Sequence, residues 1–170
     1  YLSYNVSLGE NLDRKENIGF QALIDAVASA PGAPVKQALL DAGIGTDISC
    51  IFEVDVRQPF FSIIAKNAEA SQTEEFVSLI EGKLRELAES GVDKKALEAS
   101  LNHDEFKYRE ADYGSYPKGL MYGLQMCETW LYDDKKPFVY LQLADTYKAL
   151  RRELDTSFYE EMITRCLLEN

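Results

Sequence analysis

The sequence predicts an α+β fold in which a small antiparallel sheet packs on several helices, and three observations carry that expectation. Apolar and polar residues alternate in three stretches, at residues 1–8, 47–57 and 60–66. From Ser71 onward the apolar residues follow helical spacing, with no further alternating stretch. The order is a strand, two helices, a two-strand hairpin and then about five helices, which reads as one α+β unit.

The first stretch puts Leu2, Tyr4, Val6 and Leu8 on one face of a strand. Phe20, Leu23, Ile24 and Val27 then repeat at helical spacing until Pro31 stops them. Pro34 suits a first helical turn, and Gly43 suits a left-handed cap, so a short helix is expected over 35–42. In 47–57 the set Ile48, Cys50, Phe52, Val54 and Val56 faces the core. Gln58 and Pro59 break the pattern before Phe61, Ile63 and Ala65 resume it, and a break this short implies an antiparallel hairpin.

Ser71-x-x-Glu74 reads as a capping box ahead of Phe76, Ile80, Leu84 and Leu87. Gly91 ends that helix, and Val92-Asp93 opens another with Leu97, Leu101 and Tyr108 on its inner side. A helix over 118–132 carries Leu120, Leu124, Cys127 and Leu131 on one side, with Gly119 and Gly123 spaced for close approach by a neighbour. A helix over 138–154 and a last one capped by Ser157-x-x-Glu160 complete the order. Residue 1 already lies in a strand and is not Met, so residues 1–170 are expected to be one α+β domain of a longer multidomain chain. At least one further strand is expected outside them.

Charge excludes several functions. Lys and Arg total 18 against 29 Asp and Glu, a net charge of -11, which disfavours nucleic acid and anionic membrane surfaces alike. No apolar run approaches the roughly 20 residues a membrane span needs. Three cysteines, Cys50, Cys127 and Cys166, are too few and too odd in number for a disulfide scaffold, and point to a reducing compartment, the cytoplasm.

No catalytic constellation emerges from the residues. His103 is the only histidine, so a zinc site of two imidazoles on one helix cannot be built. Glu74-Glu75, Asp104-Glu105 and Asp133-Asp134 lack calcium-loop spacing, and adjacent carboxylates on a helix diverge by about 100°, which makes them surface or capping groups. Cys50 and Cys127 fall at core positions and read as small hydrophobes. Gly43-Ile-Gly45-Thr46-Asp47 follows a helix and leads into a strand, the reverse of a phosphate cradle, so it reads as a turn. Tyr108, Tyr113, Tyr116, Tyr122, Trp130, Tyr132 and Phe138 are expected to serve core and interface packing.

One longer pattern is more specific. Pro34-Val-Lys-Gln-Ala-Leu-Leu-Asp-Ala-Gly-Ile-Gly-Thr-Asp47, the two strands after it, the opening Tyr1-Leu-Ser-Tyr-Asn-Val, and Gly119-Leu-Met-Tyr-Gly-Leu-Gln-Met-Cys-Glu-Thr-Trp130 with its turn to Pro137 together span the chain. They resemble the second, non-catalytic domain of insulinase/pitrilysin-type zinc metallopeptidases, in particular the presequence-protease branch. The resemblance implies a parent enzyme of four related α+β domains closing a chamber, in which zinc is held by His-x-x-Glu-His and a later Glu in the first domain. That motif is absent here, so the resemblance implies no catalytic and no metal residue in this chain. It implies instead a chamber wall that supports the catalytic domain, with the other domains of the same chain and peptide substrates as partners. In the insulin-degrading branch the strand after the Gly-rich turn offers its edge to substrate, and the matching positions here are Asp47, Ser49 and Ile51. A structural, inactive superfamily member and an unrelated acidic interaction domain are the alternatives.

Overall fold

The computed structural model describes residues 1–170. Strand β1 (Leu2–Ser7) is followed by α1 (Arg14–Ile24), α2 (Pro34–Asp41), β2 (Asp47–Glu53) and β3 (Phe60–Lys66). Five helices follow: α3 (Thr73–Ser90), α4 (Lys94–Glu110), α5 (Lys118–Trp130), α6 (Ala144–Glu153) and α7 (Phe158–Ile163). The sheet is antiparallel throughout, in the order β1-β3-β2, so β1 and β2 are both edges. The expected α+β class and hairpin are both present.

Alternation decides which face of the sheet is covered. Val6, Ile48, Phe61, Ile63 and Ala65 are buried in the main core with Phe20, Leu23 and Val27 of the first helical segment and Phe76, Ile80 and Leu84 of α3. Phe20 meets Phe52 and Phe61 edge-on, with centroids 5.2 and 5.8 Å away. Tyr159, Met162 and Ile163 of α7 close this core from the far side. Gly19 makes that closure possible, because a Cβ there would stand 2.9 Å from Leu150 Cδ2 and 3.3 Å from Met162 Cε. A second cluster of Ala22, Leu101, Tyr140, Leu143, Tyr147 and Leu150 lies between α1, α4 and α6.

Several boundaries differ from the sequence expectation, each for a local reason. Helix α1 begins at Arg14, well before Phe20, because Asp13 caps it by accepting the Glu16 N–H at 3.0 Å. The strand expected over 47–57 ends at Glu53: Arg57 O accepts from Asn11 N and Pro59 O from Leu8 N, which draws the 54–59 connection away from the ladder. Val56 is consequently exposed and not in the core. The capping box forms two residues upstream of Ser71, between Glu69 and Gln72. At the last helix Ser157 makes no capping bond, and Phe158 N donates to the Thr156 hydroxyl instead.

The helix expected over 138–154 is divided into a 3-10 turn at Val139–Leu141 and α6. Here Tyr108 Oη donates to Leu141 O at 3.0 Å and accepts from Leu143 N, taking backbone groups that a continuous helix would use. Helix α5 departs furthest. Its Leu120, Leu124 and the adjoining Leu131 are 53%, 53% and 75% exposed, and nothing approaches Gly119 or Gly123. Only Thr129 of α5 is buried, with its hydroxyl donating to Lys136 O at 2.6 Å.

Candidate functional site

The three residues implied at the β2 edge share the outer face of the sheet. They alternate with buried Ile48, so they point away from the core. The turn that delivers the chain to β2 depends on Gly45, whose φ is +73° and whose missing Cβ would lie 2.6 Å from Lys66 O. Thr46 N then donates to Lys66 O at 2.9 Å and sets the register. Asp47 stands opposite Lys66, Ser49 opposite Ile64 and Ile51 opposite Ser62. Lys66 Nζ lies 2.8 Å from Asp47, and this hydrogen bond holds the exposed Asp47 carboxyl below the usual carboxylate range. Ile51 is 45% exposed and Phe60 40%, leaving an apolar strip beside the charged pair. An unpaired strand edge of this kind can add an extended peptide through main-chain hydrogen bonds.

A second, concave feature lies between α1, α4, α5 and residues 139–147. It is a cavity of about 290 Å³ bordered by Tyr108, Tyr113, Tyr140, Tyr147, Asp104 and Glu128. Tyr140 Oη donates to Asn11 O and accepts from Asn17 Nδ2, so its ring is fixed. Burial, with some help from Asp25, raises the Asp104 carboxyl to about 6, and its Oδ2 is buried without a hydrogen-bond partner. Burial also raises Glu128 to about 7, reinforced by the nearby carboxylates of Asp55 and Glu53. Beside them Glu105, expected at the surface, is 6% exposed and held by Arg109 at 2.5 Å and by Arg151. Its salt partner at i+4 was the available sequence signal. Nothing in the spacing marked Glu128, because its environment is made by the 54–59 connection.

The aromatic set does not form a core. Tyr140 and Tyr147, neither of them in that set, are buried, but Tyr116, Tyr122, Trp130, Tyr132 and Phe138 are exposed, and Tyr113 and Tyr122 meet edge-on at 6.0 Å. His103 is exposed on α4. No three His, Cys, Asp or Glu side chains converge as metal ligands, so the residues present do not build a zinc site. Cys50 donates to Ala28 O at 3.4 Å and Cys166 to Glu16 at 3.3 Å. Burial pushes the Cys166 thiol up to about 12 and raises that of Cys50, which leaves both as packing groups and not nucleophiles.

No family model matches the chain. Protein HypA of Clostridium perfringens is 38% identical over 170 residues, covering 100% of this chain and 17% of that protein. Presequence protease 1, chloroplastic/mitochondrial, of Arabidopsis thaliana is 31% identical over 164 residues, covering 94% of this chain and 15% of that protein. The chain is similar to one part of the presequence proteases, which fits a domain of an insulinase-family peptidase. The chain spans about a sixth of the length of the curated relatives it matches. A proposed zinc protease from Bordetella pertussis Tohama I has the same fold, with a TM-score of 0.71 over 99% of this chain and 88% of that one at 9% identity. The inactive peptidase domain of a proposed zinc protease from Bordetella parapertussis superposes at 0.63, over 98% and 85% at 10% identity. No helix of the domain is long and apolar enough to cross a membrane.

Proposed function

We propose that the chain is the non-catalytic second domain of a zinc-dependent peptidase that degrades peptides in a closed chamber. In this reading it forms part of the chamber wall, supports the catalytic domain, and holds an extended peptide along the β2 edge at Asp47, Ser49 and Ile51. The observation that carries the reading is the match of 94% of the chain to a stretch of a presequence protease at 31% identity. The free β2 edge supports the peptide-holding part, since it can bind main chain without selecting a sequence. Zinc held by another domain would supply Lewis-acid activation of the scissile carbonyl and of water. The bare apolar face of α5 favours the structural side of the role, as a surface on which other domains of the same polypeptide pack. We assign the domain to the cytoplasm, which suits three unpaired cysteines.

Amide NMR tests the edge. Adding an extended peptide of about ten residues should shift the amides of Asp47, Ser49 and Ile51, and Ser49→Pro should abolish the shifts by removing a main-chain donor. Shifts confined to other elements would refute peptide addition at β2. The polypeptide containing this domain is further expected to carry His-x-x-Glu-His outside residues 1–170, and its absence there would refute the peptidase role.

A further inference from the structure

The cavity between α4 and α5 combines features that neither an apolar ligand nor an anion would use. Four tyrosines border it, and their ring faces carry the negative end of the π quadrupole. Two carboxyl groups, Asp104 and Glu128, border it as well, drawn from different helices. The rings are held in place by their own polar ends: Tyr108 through Leu141 O and Leu143 N, Tyr140 through Asn11 and Asn17. Tyr108 and Tyr147 lie with centroids 6.0 Å apart and planes inclined at 43°, which makes two walls at an angle and not a closed stack. Asp104 Oδ2 is buried there and unpartnered, although Lys107 also borders the cavity. A buried carboxylate oxygen without a donor costs free energy that a bound donor would recover.

We propose that this tyrosine-walled cavity is a binding site for an organic cation, a primary ammonium group on an alkyl chain, with Asp104 and Glu128 as its counter-charges. The tyrosine faces attract the ammonium and its adjacent methylenes, and Asp104 Oδ2 accepts one of its N–H bonds. The cation is carried either by a lysyl side chain of a bound peptide or by a free polyamine. Both present the same chemistry to the cavity, whose volume of about 290 Å³ suits an aminoalkyl chain. The cavity is lined by no residue of β2 and requires neither zinc nor peptidase activity.

Titration of the chain with n-butylammonium at pH 8, followed by the ring resonances of Tyr108, Tyr113, Tyr140 and Tyr147, tests the assignment. Saturable shifts of these four rings are expected. Asp104→Asn should weaken binding at least fivefold, and Tyr113→Leu, which removes one wall, at least threefold. Lys107→Gln, at an exposed position that does not threaten folding, should tighten it by removing the competing cation. Parallel titrations with spermidine and with an acetylated, amidated Gly-Lys-Gly peptide identify the source, the tighter of the two marking it. No tyrosine shift with any of the three probes, or equal affinity in Asp104→Asn and Lys107→Gln, would overturn the proposal.

Discussion

Replacing Glu128 by Gln should stabilise the protein at about pH 8 and change little at about pH 4.5. Burial and the carboxylates of Asp55 and Glu53 hold the Glu128 pKa near 7, against an ordinary 4.5. A folded pKa above the unfolded one means that the native state keeps a proton which the unfolded chain releases. The associated stability is therefore fully present below about 4.5 and is lost as pH rises to about 7. At ~1.4 kcal/mol per pH unit the gap corresponds to ~3 kcal/mol above neutrality. The side chain is only partly buried, so solvent screening reduces this to ~1.5 kcal/mol. Gln has nearly the same shape and no charge, and escapes that cost. For a domain of this size, ~1.5 kcal/mol raises Tm by about 3–6 °C. Urea unfolding of both proteins across this pH range measures the difference directly. A gain of the same size at both pH values, or a loss at pH 8, would refute a charged and desolvated Glu128.

Other changes have definite expected outcomes. Gly45→Ala should cost about 1–3 kcal/mol in urea unfolding, since φ is +73° and the new Cβ meets Lys66 O at 2.6 Å. Glu105→Ala should cost about 2–4 kcal/mol, because it strands Arg151 beside the second core cluster. Leu84→Ala in the main core should cost about 2–5 kcal/mol, whereas Leu124→Ala on the bare face of α5 should stay within about 0.5 kcal/mol. Metal analysis of the purified chain is expected to find no stoichiometric zinc, and one tightly held zinc per chain would contradict the placement of the metal outside residues 1–170.

The parts legible in the sequence are those whose signal is local. Alternation at Ile48 and at Phe61, Ile63 and Ala65 identified strands and their buried face, because side chains of a strand alternate whatever packs on them. The spacing of Phe76, Ile80, Leu84 and Leu87 identified α3 and its core stripe in the same way. Gly43 and Gly45 marked the turn into β2, since both adopt a positive φ that other residues avoid. The family resemblance, resting only in part on these stretches, also agrees with the relatives found.

What the sequence left open is what distant residues decide together. The apolar spacing of Leu120, Leu124 and Leu131 is as regular as that of α3, yet no neighbour covers it, because periodicity reports an amphipathic face and not its partner. The split of residues 138–154 depends on Tyr108, roughly thirty residues earlier in the chain, capturing the backbone at Leu141 and Leu143. Asp104 and Glu128 are ordinary acidic residues in sequence. They become half-buried carboxyls bordering one cavity with four tyrosines only because α4, α5 and the 139–147 stretch meet there, where the loss of water shifts their charge state. Helices, strands and family could thus be read from neighbours along the chain, whereas the chemistry of the cavity could be read only from neighbours in space.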